Sequence, residues 1–287
     1  MAHSHAHGGD GMTLTNTKLA FIGSGVMGEA MIKALLARHL MQPAQIIASD
    51  PHVDRCEELR QRYGVKVTTD NTAAVKDADI VVLSVKPQVM AKVLPELNQA
   101  VERSALMVSI AAGVTMQTLV TGLDNPHVVR AMPNTPSQIG MGMTVWTAAP
   151  SVTESQVAQA RVLLGAFGDE MYAEDERFLD MATALNGTGP AYVFMFMEAL
   201  IDAGVHMGLS RRDAERLVLQ TMRGSVEYAT QSKLHPAELR NQVTSPGGTS
   251  AAAIYELEKG GLRTVIADGV WAAYRRSREL GEANSKK

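Results

Sequence analysis

The stretch K-L-A-F-I-G-S-G-V-M-G-E-A-M-I-K-A, Lys18 to Ala34, decides the fold of this chain. Leu19-Ala20-Phe21-Ile22 is a short apolar run that reads as a buried strand. Gly23-Ser24-Gly25-Val26-Met27-Gly28 follows, and Met27, Ala30, Met31, Ala34 and Leu35 then fall on one face of a helix. A G-x-G-x-x-G pattern between a strand and a helix is the fingerprint of a dinucleotide-binding turn. Gly23 lets the chain turn off the strand, Gly25 lets backbone approach a pyrophosphate, and Gly28 lets helix pack on strand. The helix N-terminus adds free amide hydrogens and partial positive charge. A glycine-rich turn with no ligand is the plain alternative, and the pattern alone names no reaction.

Composition narrows the class. The chain has 287 residues, enough for two domains with a sizeable core. Hydrophobic residues at 46% and charged ones at 20% exclude a disordered chain. A net charge of -3 without a basic tract gives no sign of nucleic acid or a membrane surface. The one cysteine, Cys56, leaves no intramolecular disulfide and no cysteine zinc cluster, so no metal is expected. It fits a reducing compartment, and the expectation is a cytoplasmic protein. No stretch approaches the roughly 20 uninterrupted apolar residues of a membrane helix. Met1 to Gly11 alternates histidine with small residues and relaxes into glycine, as a purification tag with a linker does, and Met12 is a plausible start.

Working outward, Gln45 to Ser49 reads as a second strand ending at Asp50-Pro51. Asp50 lies about 20 residues beyond Gly28, where an acidic residue meets the adenosine ribose. Such a carboxylate favours NAD, while Arg55 nearby can hold the 2′-phosphate of NADP. Capping the next helix is a second role open to Asp50. Val53 to Tyr63 reads as a helix closed by Gly64, Val65 to Thr68 as a third strand, and Asn71 as the start of a short helix. Asp79 to Val85 is β-branched and uninterrupted, a buried parallel strand running into Lys86-Pro87. Lys86 is either catalytic or simply solvated. Ala105 to Ile110 is the fifth strand, and Ala111-Ala112-Gly113 after it leaves room for a ligand or makes a tight turn. Val128 to Met132 runs into the rigid Pro133-Asn134-Thr135-Pro136 loop. Two further strands are expected at Met143–Thr147 and Glu170–Tyr172, with a helix at Val152–Phe167 between them. Strands alternating with helices predict a doubly wound α/β sheet over residues 13–174.

From about Asp175 the strand signal stops, and residues 175–287 read as an all-α domain. Phe178 to Leu185 is a helix that Asn186-Gly187-Thr188-Gly189-Pro190 should break. Ala191 to Met207 is apolar on nearly every face, so it must be surrounded, and a second copy sharing one core is the economical answer. A flexible ligand pocket of Met and Phe is the alternative. Ser210 caps a helix to about Gln231, and His235-Pro236 starts a short one from Ala237 to Val243. Thr244-Ser245-Pro246-Gly247-Gly248-Thr249-Ser250 then opens another helix with hydroxyls and two glycines, suited to a small anion such as a carboxylate. An ordinary helix start is the plainer reading. A last helix spans Leu262 to Leu280, followed by a polar tail.

Taken in order, these marks resemble the 1-pyrroline-5-carboxylate reductase family from about Lys18 to Leu280. They are F-I-G-S-G-V-M-G at Phe21–Gly28, V-K-P at Val85–Pro87, S-I-A-A-G-V at Ser109–Val114 and R-A-M-P-N-T-P at Arg130–Pro136. G-x-G-P-A-Y-V-F ending at Phe194, H-P-A-E-L-R at His235–Arg240 and T-S-P-G-G-T-S at Thr244–Ser250 complete the set. The resemblance implies a Rossmann domain followed by a helical domain that dimerises, with larger rings of dimers known in the family. It implies hydride transfer from NADPH or NADH to the imine carbon of L-1-pyrroline-5-carboxylate, giving L-proline, with NADPH favoured by family habit. The active site would lie between cofactor and helical domain.

The same resemblance carries the site residues. The dinucleotide would meet Gly23, Ser24, Gly25, Val26, Met27 and Gly28 on the fingerprint, and Ser49, Asp50 and Asn71 beyond the second strand. Val85, Lys86 and Pro87, then Ala111 and Ala112, then Asn134 would complete its surroundings. The substrate would lie on Val243, Thr244, Ser245, Gly247, Gly248 and Thr249, with Ser250 as the hydroxyl nearest the ring nitrogen. Ser250 stands where many members carry threonine, and Asn186-Gly187-Thr188 replaces their Ser-Gly-Ser. Two rival readings stand beside it, the first with the same two-domain plan. One is a 3-hydroxyisobutyrate dehydrogenase, which needs a catalytic lysine for which Lys233 and Lys259 are candidates. The other is a sensor that binds NAD(P)H without turnover.

Overall fold

The computed structural model describes residues 14–285, with side chains to 282. The tag-like stretch Met1–Gly11 and the start at Met12 lie outside the described residues. The first half builds β1 (Leu19–Ile22), β2 (Ile46–Ser49), β3 (Lys66–Thr68), β4 (Ile80–Leu83), β5 (Leu106–Ser109) and β6 (Val128–Met132). They lie side by side in the order β3-β2-β1-β4-β5-β6, all parallel. That order reverses at β1, so a crevice opens beyond the carboxyl ends of β1 and β4. Helices α1 (Val26–Ala37), α2 (Val53–Tyr63), α3 (Asn71–Val75), α4 (Pro87–Leu97) and α5 (Met116–Leu123) make the crossovers.

Alternation along the strands explains the layers. Leu19, Phe21, Ile80 and Val82 join one buried cluster, while Ala20, Ile22, Val81 and Leu83 join another on the opposite face. A sheet buried on both faces needs uninterrupted apolar strands, as β1, β4 and β5 have. The doubly wound fold is present.

Two strands extend the sheet beyond β6. β7 (Gly142–Ala148) pairs antiparallel with β6, and β8 (Gly168–Tyr172) pairs parallel with β7 through α6 (Glu154–Gly165). Only residues 133–141 connect β6 to β7, too few for a parallel crossover. The first and sixth strands match the sequence reading at both ends, and most other strand ends fall within one residue of it. The fourth is shorter, because Ser84 and Val85 leave the strand and pack against the glycine turn.

The expected break at Asn186–Pro190 does not occur. α7 (Arg177–Ala182) runs into a π-helical turn (Thr183–Gly187), and α8 (Gly189–His206) follows directly. Both the amide and the hydroxyl of Thr188 donate to the Thr183 carbonyl at 2.8 Å, which widens the turn without ending the helix. Then come α9 (Arg211–Ser232), α10 (Pro236–Gln242), α11 (Thr249–Lys259) and α12 (Leu262–Ser285). α12 runs five residues past the expected end at Leu280.

The chain divides into two compact units, one reaching Thr188 and recovering the chain from Ala273, the other spanning Gly189–Ala272. The first unit thus extends past the change from strand to helix near Asp175. Within it, Ser277 donates to Asp180 at 2.7 Å, and a side chain on Gly113 would lie 3.2 Å from the Leu280 Cβ. In the second unit α8 lies on α9, with Gly204 so close to Ala214 that an added Cβ would sit 3.1 Å from the alanine's. Gly204 is the one buried residue of α8, whereas Phe194 and Met195 are 60% and 73% exposed.

Candidate active site

The glycine turn is fixed by its neighbours. Gly23 has φ +81, and a side chain there would meet the Val85 Cγ1 at 2.6 Å and its backbone nitrogen at 3.0 Å. Gly28 lies against the Gly23 carbonyl and the Ser84 hydroxyl, each 3.0 Å from where its Cβ would be. Gly25 differs: a Cβ there would meet nothing within 4 Å. Gly23 and Gly28 are required by packing, whereas the space in front of Gly25 is open. That is the cradle a pyrophosphate fits, at the start of a helix whose N-cap, Gly25 itself, supplies no side-chain cap. Val26 is 63% exposed beside it, and Met27 is half-buried.

Ser24 faces inward. Its hydroxyl donates to the Ser49 carbonyl at 3.1 Å, its amide donates to Asp50 Oδ2 at 3.2 Å, and its carbonyl accepts Arg55 Nε at 2.9 Å. Asp50 is buried, and its second oxygen accepts the His52 amide at 3.1 Å and approaches the ring Nδ1 at 2.9 Å. The carboxylate therefore braces the glycine turn. The N-cap of α2 is His52, so Asp50 stands two residues before the cap. Ser49 is fully buried and donates its hydroxyl to Asn71 Oδ1 at 2.7 Å, and Asn71 in turn donates to Glu96. Arg55 holds Glu29 and Glu58 as well as Ser24.

Other expected cofactor residues sit at the carboxyl ends of the neighbouring strands. Val85 packs against Gly23, Lys86 is exposed at the N-cap of α4, and Pro87 is its first residue. Ala111 is buried and Ala112 half-buried. Asn134 donates to the Asn186 carbonyl at 3.1 Å and accepts the Met143 amide at 2.9 Å. Asn186 in turn donates to the Met143 carbonyl at 3.0 Å, so the π turn is tied to the ends of β6 and β7. The Asn186 side-chain oxygen is buried without a partner. Arg130, buried on β6, pairs with Glu176, whose same oxygen accepts the Met116 amide at 2.6 Å. Ser84, Arg130, Glu176 and Asn186 thus build this end of the sheet, and sequence reasoning assigned none of them a site role. Ser84 carries a positional signal, directly after β4, whereas Arg130 lies mid-strand and its role shows only once Glu176 is beside it.

In the helical unit, Thr244–Ser250 forms a tight turn and a helix start. The Gly248 amide donates to the Ser245 carbonyl at 3.1 Å with Gly247 at φ +73, the geometry that Pro-Gly favours in a type II turn. A Cβ on Gly248 would lie 2.4 Å from the Ser245 hydroxyl. Thr244 donates its hydroxyl to the Arg240 carbonyl at 2.6 Å, which closes α10. The N-cap of α11 is Gly248 and supplies no side-chain cap, and the first amide returned to the helix is that of Ala252, to the Gly248 carbonyl. The amides of Thr249, Ser250 and Ala251 precede it, outside the helix's own hydrogen-bond ladder, where a helix start favours an anion. Among the described residues, the hydroxyls of Ser245 and Ser250 have no hydrogen-bond partner. Val243 is 68% exposed ahead of the turn. Of the two lysines considered as bases, Lys259 is exposed and paired with Glu256, and Lys233 caps α9 in the left-handed region.

Comparison with known proteins identifies these features as a set. Residues 176–280 match the family model described as pyrroline-5-carboxylate reductase dimerisation, and residues 18–113 match that of coenzyme F420-dependent NADP oxidoreductases. The pyrroline-5-carboxylate reductase of Synechocystis is 42% identical over 265 residues, covering 92% of this chain and 98% of that one. That of Pseudomonas aeruginosa is 42% identical over 270 residues, covering 94% and 98%. The solved structure of the Plasmodium falciparum pyrroline carboxylate reductase with NADP bound is 31% identical and covers 93% of this chain and 98% of that one, with a TM-score of 0.85. With its sheet order, its open glycine cradle and this identity across nearly its whole length, the chain belongs to the pyrroline-5-carboxylate reductase family.

Proposed function

We infer that this chain reduces L-1-pyrroline-5-carboxylate to L-proline with a hydride from NAD(P)H, the last step of proline biosynthesis. The observation that carries the reading is the Thr244–Ser250 turn, kept within a chain 42% identical to reductases of that name. Its uncapped helix start suits one carboxylate, and the unpartnered Ser250 hydroxyl lies in the same turn. The bound nicotinamide supplies the hydride.

The protein's own part is positioning. The amides of Thr249 and Ser250, with the Ser245 hydroxyl, hold the substrate carboxylate, while the Gly248 amide stays on the Ser245 carbonyl and Gly247 gives the turn its shape. Ser250 hydrogen-bonds the ring nitrogen as the imine becomes an amine. Thr244 shapes the turn by closing α10, and Val243 shields it. Such orientation can lower a barrier by about 7–11 kcal/mol in favourable cases. On the dinucleotide side, the amides of Gly25, Val26 and Met27 take the pyrophosphate, while Lys86, Ala111, Ala112 and Asn134 shape the nicotinamide end.

NADPH is the favoured coenzyme and NADH a usable one. The inward carboxylate of Asp50 supports this, since a charge engaged with Ser24 and His52 repels a 2′-phosphate less than one facing the ribose. The family model for residues 176–280 supports a homodimer, as do the exposed apolar side chains of α8. Assembly of such dimers into a ring is a further step that this reading allows. Among the described residues no helix is long and apolar enough to cross a membrane. The buried Cys56 thiol, raised in pKa mainly by burial, suits a reducing compartment such as the cytoplasm.

Loss of NADPH absorbance on adding L-1-pyrroline-5-carboxylate tests the assignment, with NADH run at equal concentration. Coenzyme binding without consumption would leave the sensor reading in its place.

A further inference from the structure

We propose that Arg55 is a positioning residue for the dinucleotide, acting through Ser24 and Glu29, and is not a ligand of the 2′-phosphate. The proposal rests on the coenzyme reading above. Arg55 sits early in α2, with its side chain 20% exposed, and each of its three nitrogens holds an oxygen. Nε donates to the Ser24 carbonyl at 2.9 Å, Nη1 to Glu58 at 2.7 Å and Nη2 to Glu29 at 2.5 Å. An arginine held at three corners has little freedom to turn toward a phosphate.

Its first effect is geometric. The peptide joining Ser24 to Gly25 is planar and trans, so its carbonyl and amide point opposite ways. Gripping the Ser24 carbonyl fixes the direction of the Gly25 amide, which opens on the cradle. Asp50 grips the preceding amide from the other side.

The second effect is electrostatic. Glu29 lies in the first turn of α1, the helix whose N-terminus meets the pyrophosphate. A free carboxylate there would compete with a bound anion for the same field. Glu29 is drawn away by Arg55, by Arg62 at 2.7 Å and by the Tyr63 hydroxyl at 2.6 Å. Removing Arg55 releases both the carbonyl and much of the carboxylate's restraint. Both coenzymes share the pyrophosphate, so both should suffer alike.

The test is titration of NADPH and of NADH by coenzyme fluorescence into wild type, Arg55→Met, Arg55→Lys and the double variant Arg55→Met with Glu29→Gln. Melting temperatures are taken without ligand. Arg55→Met is expected to weaken both coenzymes by the same factor, about tenfold. At saturating coenzyme its turnover and its KM for the imine should stay near wild type. Adding Glu29→Gln should recover roughly a third or more of the lost affinity in logarithmic terms. Arg55→Lys keeps a charge but not the fork, and should lie between. If Arg55→Met fails to fold, the lysine variant still reads the equal loss. Loss confined to NADPH would make Arg55 a phosphate ligand and overturn the proposal. Unchanged affinity for both, or a loss that Glu29→Gln leaves untouched, would overturn it too. Direct binding keeps this result separate from the identity of the imine, since a wild type that binds but does not turn over refutes only the reaction.

Discussion

The Asp50 carboxylate accepts the Ser24 backbone amide at 3.2 Å, joining the end of β2 to the glycine turn across 26 positions of sequence. An acidic residue at this place was expected to meet the ribose, yet it faces the protein. Asp50→Ala leaves the buried Ser24 amide without a partner, which costs about 1–3 kcal/mol. Both coenzymes should weaken together, with the ratio of NADPH to NADH preference little changed. A variant that gains strongly for NADPH alone would show that the carboxylate had been facing the ribose.

Gly23 and Gly25 should separate packing from binding. Gly23→Ala puts a methyl against Val85 in left-handed backbone, and its expected cost is roughly 1–3 kcal/mol of stability. Gly25→Ala meets no protein atom within 4 Å. It should melt like wild type and bind the dinucleotide poorly. Calorimetry with and without NADPH reads both effects.

Ser250→Ala is expected to lower turnover about 100-fold while leaving coenzyme affinity as it was. Ser250→Thr retains the hydroxyl and should keep most of the rate. Equal rates for alanine and wild type would remove Ser250 from the chemistry.

Burial alone would raise the Glu29 carboxyl, but hydrogen bonds from Tyr63 and Arg55, with the charges of Arg55 and Arg62, outweigh it and hold it below its usual 4.5. A depressed folded value means that the fold favours the charged form. The stability this gives is complete above the unfolded value and drains as pH falls through the folded one. Glu29→Gln should therefore be less stable than wild type at pH 7, with the gap closing below about pH 4. Urea unfolding at the two ends of that range checks it.

Phe194 is 60% exposed in the single chain, so Phe194→Asp removes little packing within it. If a second copy covers this face, the aspartate meets a desolvated surface, and light scattering should show loss of the dimer. A dimer that survives unchanged would place the shared surface elsewhere.

What was legible in the sequence follows from local physics. β1, β4 and β5 are buried on both faces, so their apolar runs announced them. Gly23–Gly28 and Thr244–Ser250 declared helix starts because their chemistry lies within one turn. What stayed hidden depends on partners far away in sequence. Asp50 cannot reveal its orientation until Ser24 is beside it, nor Arg55 its hold on Glu29. The π turn replaced a break because Thr188 bonds twice to Thr183, and Gly187 packs so near Met132 that an added Cβ would lie 2.6 Å from its methyl. Thr244, expected among the substrate's ligands, gives its hydroxyl to Arg240.

The return of α12 to the first unit has a bearing on how the molecule is made. Ser277 and Leu280 reach Asp180 and Gly113, residues that leave the ribosome well before them. The sheet has all its strands once Tyr172 is made, but the unit it belongs to stays incomplete until α12 has been translated.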